Sequence, residues 1–144
     1  MFPLPDDIDS KISSSPNSGV CCHFVKVNND WGIKAFRNED NRDNSQRNQL
    51  EYAKYGLSPP CSEEQFKIGN WYCFATRVAE ILICPSEYSK NADNWYKVGR
   101  ENKSNINDWH SRADDAKTPE VFDDHVGNFG WYEDNFVLID CGND

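Results

Sequence analysis

The chain has 144 residues, enough for one domain with a sizeable core. Its 24 acidic residues outweigh 15 basic ones, for a net charge of -9, which argues against non-specific binding to nucleic acid or to an anionic membrane. No apolar run reaches bilayer-spanning length, and the first ten residues are acidic with no charged-then-apolar leader, so a cytoplasmic location is expected.

Residues 1–18 are rich in Pro, Asp and Ser and predict an irregular arm that is weakly attached or wraps an edge. Its end, Ser13 to Gly19, is small and polar, so that its backbone amides could approach a phosphate. Two β-branched or aromatic runs follow, Cys21–Val27 and Trp31–Phe36, separated by Asn28-Asn29-Asp30; this spacing predicts a hairpin. Lys34 lies inside the second run. Taken alone, it reads as an edge-strand lysine facing water.

Arg37–Asn44 reads as a charged bridge. Ser45–Tyr55 predicts a helix with an apolar stripe from Leu50, Ala53 and Tyr52, stopped by Gly56 and Pro59-Pro60. Gln65–Ile68 and Trp71–Leu82 predict a second hairpin across Gly69-Asn70, the second run being long and apolar as in a central strand. Cys84 to Pro119 is less patterned. A loop is expected around Pro85, Ser86 and Asn91, then a short helix or strand at Trp95–Val98. A helix is expected over Asn105–Ala116, capped by Ser104 or Asn105, with Ile106, Trp109 and Ala113 on one side. Trp95 and Trp109 read as core residues.

Six cysteines are present: Cys21, Cys22, Cys61, Cys73, Cys84 and Cys141. Most sit in apolar surroundings and none forms C-x-x-C, so buried reduced thiols are expected. His23, His110 and His125 show no zinc-ligand spacing.

The densest chemistry runs from Asp123 to Gly142. It holds an acid, a histidine and an amide within six residues, then a hairpin of Phe129–Tyr132 and Phe136–Ile139 across Glu133-Asp134-Asn135, then Asp140-Cys141-Gly142. An Asp at the end of an apolar strand, with Gly two residues on, suits a hard cation, because the strand fixes the carboxylate and the Gly lets the chain turn away. Asn128 could add a second oxygen, and Asp123 could face a hydroxyl substrate as a base. The bland alternative is a polar loop joined to an ordinary hairpin.

The order D-x-H-x-x-N, hairpin, I-D-x-G resembles the catalytic loop and metal-binding segment of the protein-kinase-like fold, closest to its small phage and bacterial branch. The resemblance implies an α+β fold in a single domain, 1–144. Residues 19–82 would form an N-lobe-like antiparallel sheet of hairpins with one αC-like helix. Residues 83–144 would form a reduced second lobe ending in a hairpin. It implies Mg²⁺ and ATP as cofactors, Asp123 as catalytic base, and Asn128 and Asp140 as metal ligands, with Cys141 replacing the Phe of D-F-G. By the same resemblance, G-I-K-A-F stands where kinases have V-A-I-K, so Lys34 would contact nucleotide phosphates. The helix ending Y-G-L-S-P-P is similar to αC, whose lysine partner would be Glu51 or Gln46, with Glu51 reading more readily as a solvated helix residue. Val78–Leu82 is similar to the adenine-binding hinge, and Glu80 would be the hinge acid or an exposed strand end.

Two departures stand out: no G-x-G-x-x-G loop is present, and nothing corresponding to an activation segment follows Gly142. The resemblance therefore implies a kinase-like or pseudokinase protein. An alternative is a small acidic phage-type inhibitor that blocks a host protein through that partner's basic surface. A third is an unrelated α+β domain that binds partners through exposed aromatics.

Overall fold

The structure is a computed structural model that describes residues 3–15, 22–84, 86–119 and 125–139. The fold is α+β, built on two antiparallel sheets. Strands β1 (Cys22–Lys26), β2 (Trp31–Phe36), β3 (Phe66–Ile68) and β4 (Trp71–Arg77) form the first, in the order β1-β2-β4-β3. Strands β5 (Glu80–Ile81), β6 (Phe129–Tyr132) and β7 (Asn135–Leu138) form the second, in that order.

The hairpins fall where alternation and turn residues place them. In the first, the Asn28 side chain accepts from the amides of Asp30 and Trp31, closing the turn from within. In the second, Gly69 takes a positive φ of 56°. The last turns on Glu133 and Asp134 alone, at φ 48° and 67°, while Asn135 already belongs to β7.

Trp71–Leu82 is not one strand. Pairing with β3 covers Trp71 to Cys73 and pairing with β2 ends at Arg77, residues 78–79 cross over, and Glu80–Ile81 pair with β6 in the other sheet. Side-chain alternation carries no mark of this change of partner.

Five α-helices occur among the described residues, where one αC-like helix was expected in the first part of the chain and one helix plus a short element later. Helix α1 (Ile8–Ser13) replaces the expected irregular arm. Ile8 and Ile12, four apart on one face, are buried with Val25, Ile33, Ala35, Ile68, Trp71 and Cys73 on one side of the first sheet. Helix α2 (Glu39–Ala53) begins six residues earlier than expected. Asn38 caps it through the Asn41 amide, and Glu39 and Asp40 lie favourably in its first turn, so the supposed charged bridge is helical. Its buried face is Arg42, Ser45, Gln46, Gln49 and Tyr52, not the Leu50 and Ala53 stripe. Gly56, at φ 69°, ends the turn as expected.

Helices α3 (Glu87–Lys90), α4 (Ala92–Glu101) and α5 (Lys103–Ala116) follow. Asn91, expected in a loop, is the N-cap of α4 and accepts from the Asn94 amide. Helix α5 starts slightly before its expected cap. It buries Trp109 and Ala113, with Ile106 partly buried beside them, against Tyr52, Leu57, Phe129, Phe136 and Leu138. No helix among the described residues is long and apolar enough to cross a membrane.

Candidate functional site

The site begins with a charge in an expensive place. β2 runs between β1 and β4, so it is not an edge strand, and Lys34 is only 4% exposed. On this strand Ile33 and Ala35 face the apolar core with α1. Lys34 points to the opposite face, where α2 lies across β2 and β4. A buried ammonium needs its hydrogens taken up. Lys34 Nζ donates to Gln49 Oε1 at 2.8 Å and to the Ile139 carbonyl at 2.6 Å, and lies 5.8 Å from the centre of the Phe74 ring.

Gln49 is fully buried, and its amide is committed on every side. Nε2 donates to the Pro59 carbonyl at 2.8 Å and to Thr76 Oγ1 at 2.7 Å, while Oε1 receives Lys34. Gln46 has a different duty. Its Nε2 donates to the carbonyls of Ser62 and Glu64, and its Oε1 accepts from Gln65, so it anchors the segment before β3. Glu51 turns outward and pairs with Lys54 at 2.9 Å, as a solvated helix residue does. The lysine partner on α2 is therefore Gln49, rather than Glu51 or Gln46.

Ile139 connects this cluster to the C-terminal hairpin. Its carbonyl receives Lys34, and its amide donates to the Asn128 carbonyl at 2.6 Å. Asn128 ends a short 3₁₀ turn, Val126–Asn128, and is buried at 6% exposure. Two residues seat this turn against α4. A Cβ on Gly127 would lie 2.5 Å from the Trp95 ring, and the His125 ring sits 5.3 Å from that of Trp95. The glycine before the amide thus permits close packing, and His125 helps shape the loop. The hairpin beyond is fixed by Gly130, where a Cβ would meet the Glu80 carbonyl at 2.3 Å.

Residues 57–59 bind the parts together. The Leu57 carbonyl accepts from the Leu138 amide at 2.8 Å and from Trp109 Nε1 at 2.9 Å. Ser58 Oγ donates to the Leu138 carbonyl at 2.8 Å, and the Pro59 carbonyl takes Gln49. This short segment after α2 is thus tied to α5, to β7 and back to α2.

Lys34 and Asn128, expected to share a site, are joined through the single residue Ile139. Asp140 follows Ile139 directly in the chain. Asp140 and Asp123, with Cys141 and Gly142, lie outside the described residues, as do residues 16–19 of the small polar loop. Of that loop's described part, Ser13 and Ser14 return their hydroxyls to the Asp9 and Ser10 carbonyls, and Ser15 donates to the Phe24 carbonyl. Glu80 is exposed on β5, which lies at the edge of its sheet, and borders an open depression with Asn29, Asp30, Arg77, Trp131 and Glu133. The structure places it with neither Lys34 nor Asn128.

The thiols Cys22, Cys61, Cys73 and Cys84 are unbridged. Burial pushes the Cys73 thiol up to about 12, leaving it protonated and inert. No cluster of three or more His, Cys, Asp or Glu side chains suited to a metal occurs among the described residues. Gln49 and the Ile139 carbonyl escaped sequence reasoning. The available signal was the 3–4 spacing of Arg42, Ser45, Gln46, Gln49 and Tyr52, a buried face written in polar residues.

Comparisons with models of known protein families, with characterised proteins and with solved structures returned no significant match.

Proposed function

We propose that this chain is a kinase-like nucleotide-binding protein, with Lys34 directed at the phosphates of Mg-ATP. One observation carries this reading: a buried lysine in an interior strand is held by an α2 side chain and by the carbonyl of the residue preceding Asp140. Burying a cation is costly in a purely structural role, and hydrophobic replacements commonly stabilise such positions. The donors suit the cofactor. Lys34 supplies the cation for α- and β-phosphate oxygens. Asn128 and Asp140 are the oxygen-bearing residues that would hold Mg²⁺, which neutralises phosphate charge when bound. Asp123 would orient an acceptor hydroxyl and take its proton, the positioning work on which phosphoryl transfer chiefly depends.

Gln49 favours the pseudokinase form of this reading. Kinases align the strand lysine with a helix glutamate, and here the helix offers a neutral amide. Nucleotide binding is therefore the primary function we assign, with transfer to a hydroxyl acceptor secondary to it.

Thermal unfolding with Mg-ATP tests this. At a hundredfold excess over Kd, the melting temperature should rise by about 5–10 °C, and Lys34→Met or Asp140→Ala should each remove the rise. If wild-type protein shows no shift at millimolar Mg-ATP, nucleotide binding is wrong. The net charge of -9 and the exposed Tyr88–Tyr96 pair would then favour an acidic inhibitor of a host protein with a basic surface. Salt-sensitive retention of one such partner would be its positive sign.

A further inference from the structure

The two edges of the three-stranded sheet are finished differently. The Ile139 amide donates to Asn128, and the Leu82 amide donates to Phe129, which fixes the phase of both ladders. In an antiparallel ladder, bonded and non-bonded pairs alternate, and a residue of a non-bonded pair turns its N–H and C=O away from its neighbour. Phe136 and Leu138 therefore aim their backbone groups off the β7 edge, and Ile81 aims its own off the β5 edge. The β7 edge is closed: Arg112 donates to the Phe136 carbonyl, the Leu138 amide donates to Leu57, and Ser58 donates to the Leu138 carbonyl. At the β5 edge no described residue bonds the Ile81 amide or carbonyl. Ile81 is 42% exposed, so the edge presents an accessible donor and acceptor side by side.

Side chains alternate across a sheet, so Glu80 and Trp131 share one face and Ile81 lies on the other. Beside Glu80 and Trp131 opens the depression of about 360 Å³ that Asp30, Arg77 and Glu133 also line. Trp131 is 37% exposed there. Three carboxylates meet one guanidinium, and that of Arg77 is stacked on Trp31, 4.3 Å from the ring centre. We infer that the β5 edge docks an extended peptide with the pattern basic–apolar–basic. The middle residue exchanges two backbone hydrogen bonds with Ile81, as an added strand does, and lays its apolar side chain on the Ile81 face. The flanking residues fall on the Glu80 face, where a Lys or Arg pairs with Glu80 and reaches the other carboxylates and the Trp131 ring. A second copy of the chain suits this edge poorly, because each copy carries a net charge of -9 and the same acids at the contact. The inference goes beyond the nucleotide-binding reading and does not rest on it. Neither Lys34 nor Asn128 borders the depression, so either proposal can fail alone.

The test is fluorescence anisotropy of a labelled peptide, Ser-Arg-Val-Arg-Ser, titrated with the full chain at low salt. Wild-type protein should bind it, and the Glu-Val-Glu counterpart should not bind. Methylating the valine amide of the peptide removes the donor to the Ile81 carbonyl and should weaken binding about tenfold. Ile81→Pro removes the N–H on the protein side and should cost as much. Glu80→Lys, at an exposed position, should also weaken binding about tenfold by reversing the charge that the arginines meet. If Ile81→Pro fails to fold, the methylated peptide decides, since it needs no change in the protein. Absence of binding by wild type overturns the inference. So does binding that survives both methylation and Ile81→Pro, which would be charge attraction without an added strand. Displacement of the peptide by adenosine would give the Ile81 groups to a nucleobase and overturn it, as would a concentration-dependent dimer lost in Ile81→Pro, which would give the edge to a second copy.

Discussion

The two faces of the four-stranded sheet are built on opposite principles. One is closed by α1 and has an apolar core, from Ile8 and Ile12 to Ile33, Ala35 and Cys73, with polar contacts such as Asp9 to Trp71 and His23 to the Ile12 carbonyl beside it. The other is closed by α2 and buries Lys34, Arg42, Gln46, Gln49 and Thr76. Adjacent residues of β2, Ile33 and Lys34, thus belong to different kinds of interior. Apolar burial stabilises wherever it occurs. Polar burial is tolerated only when each donor and acceptor is matched, and the matching fixes geometry more than it adds stability. The first face holds the sheet together, and the second holds a cation in place.

Five measurements would break or sharpen this contrast. Ile33→Ala should cost about 3–4 kcal/mol in chemical denaturation, because a fully buried side chain is removed between α1 and the sheet. Lys34→Met, one residue away, should change stability by about 1 kcal/mol or less, since loss of a buried charge offsets the hydrogen bonds it leaves unmade. Equal destabilisation by the two would erase the distinction between the faces.

The apolar face should also respond to alkali. The Cys73 thiol ordinarily titrates near 9.0 and is raised to about 12 by burial. Between those values the unfolded chain has lost a proton that the folded chain keeps. Stability should therefore be full below about pH 9 and fall as pH rises, by at most ~1.4 kcal/mol per pH unit. Cys73→Ala should flatten this slope. A slope unchanged by that substitution would place the alkaline transition elsewhere.

On the polar face, Thr76→Val removes one acceptor of the Gln49 amide and should cost about 1–2 kcal/mol. A variant as stable as wild type would show that the amide needs no second tether. The smallest effect belongs to Glu51→Gln. Its pairing with Lys54 is exposed, so the melting temperature should not move.

Legibility in the sequence followed the same divide. The hairpins were readable because apolar alternation is interrupted by Asn28-Asn29-Asp30, Gly69-Asn70 and Glu133-Asp134. Helix α5 was readable because Ile106, Trp109 and Ala113 repeat at helical spacing. Helix α2 was half hidden, since its buried face carries Arg42, Ser45, Gln46 and Gln49, and a search for apolar periodicity finds the wrong stripe. Gln49 itself was invisible to a search for a glutamate. The break between β4 and β5 leaves no Gly or Pro at 78–79 to announce it. Lys34 was identified by its place in an apolar run, but only the strand order shows that the run is interior.

The bond from Lys34 to Ile139 spans 105 positions, and that from Ser58 to Leu138 spans 80. Contacts so distant along the chain are costly to close and form slowly. During synthesis the first sheet can assemble while the ammonium still lacks the carbonyl that will receive it, and the segment after α2 still lacks β7. The chain must therefore pass through a stage in which its most polar interior is wet and open. Ribosome-bound intermediates lacking the final hairpin should expose α2 to proteases, and they should become resistant when that hairpin docks.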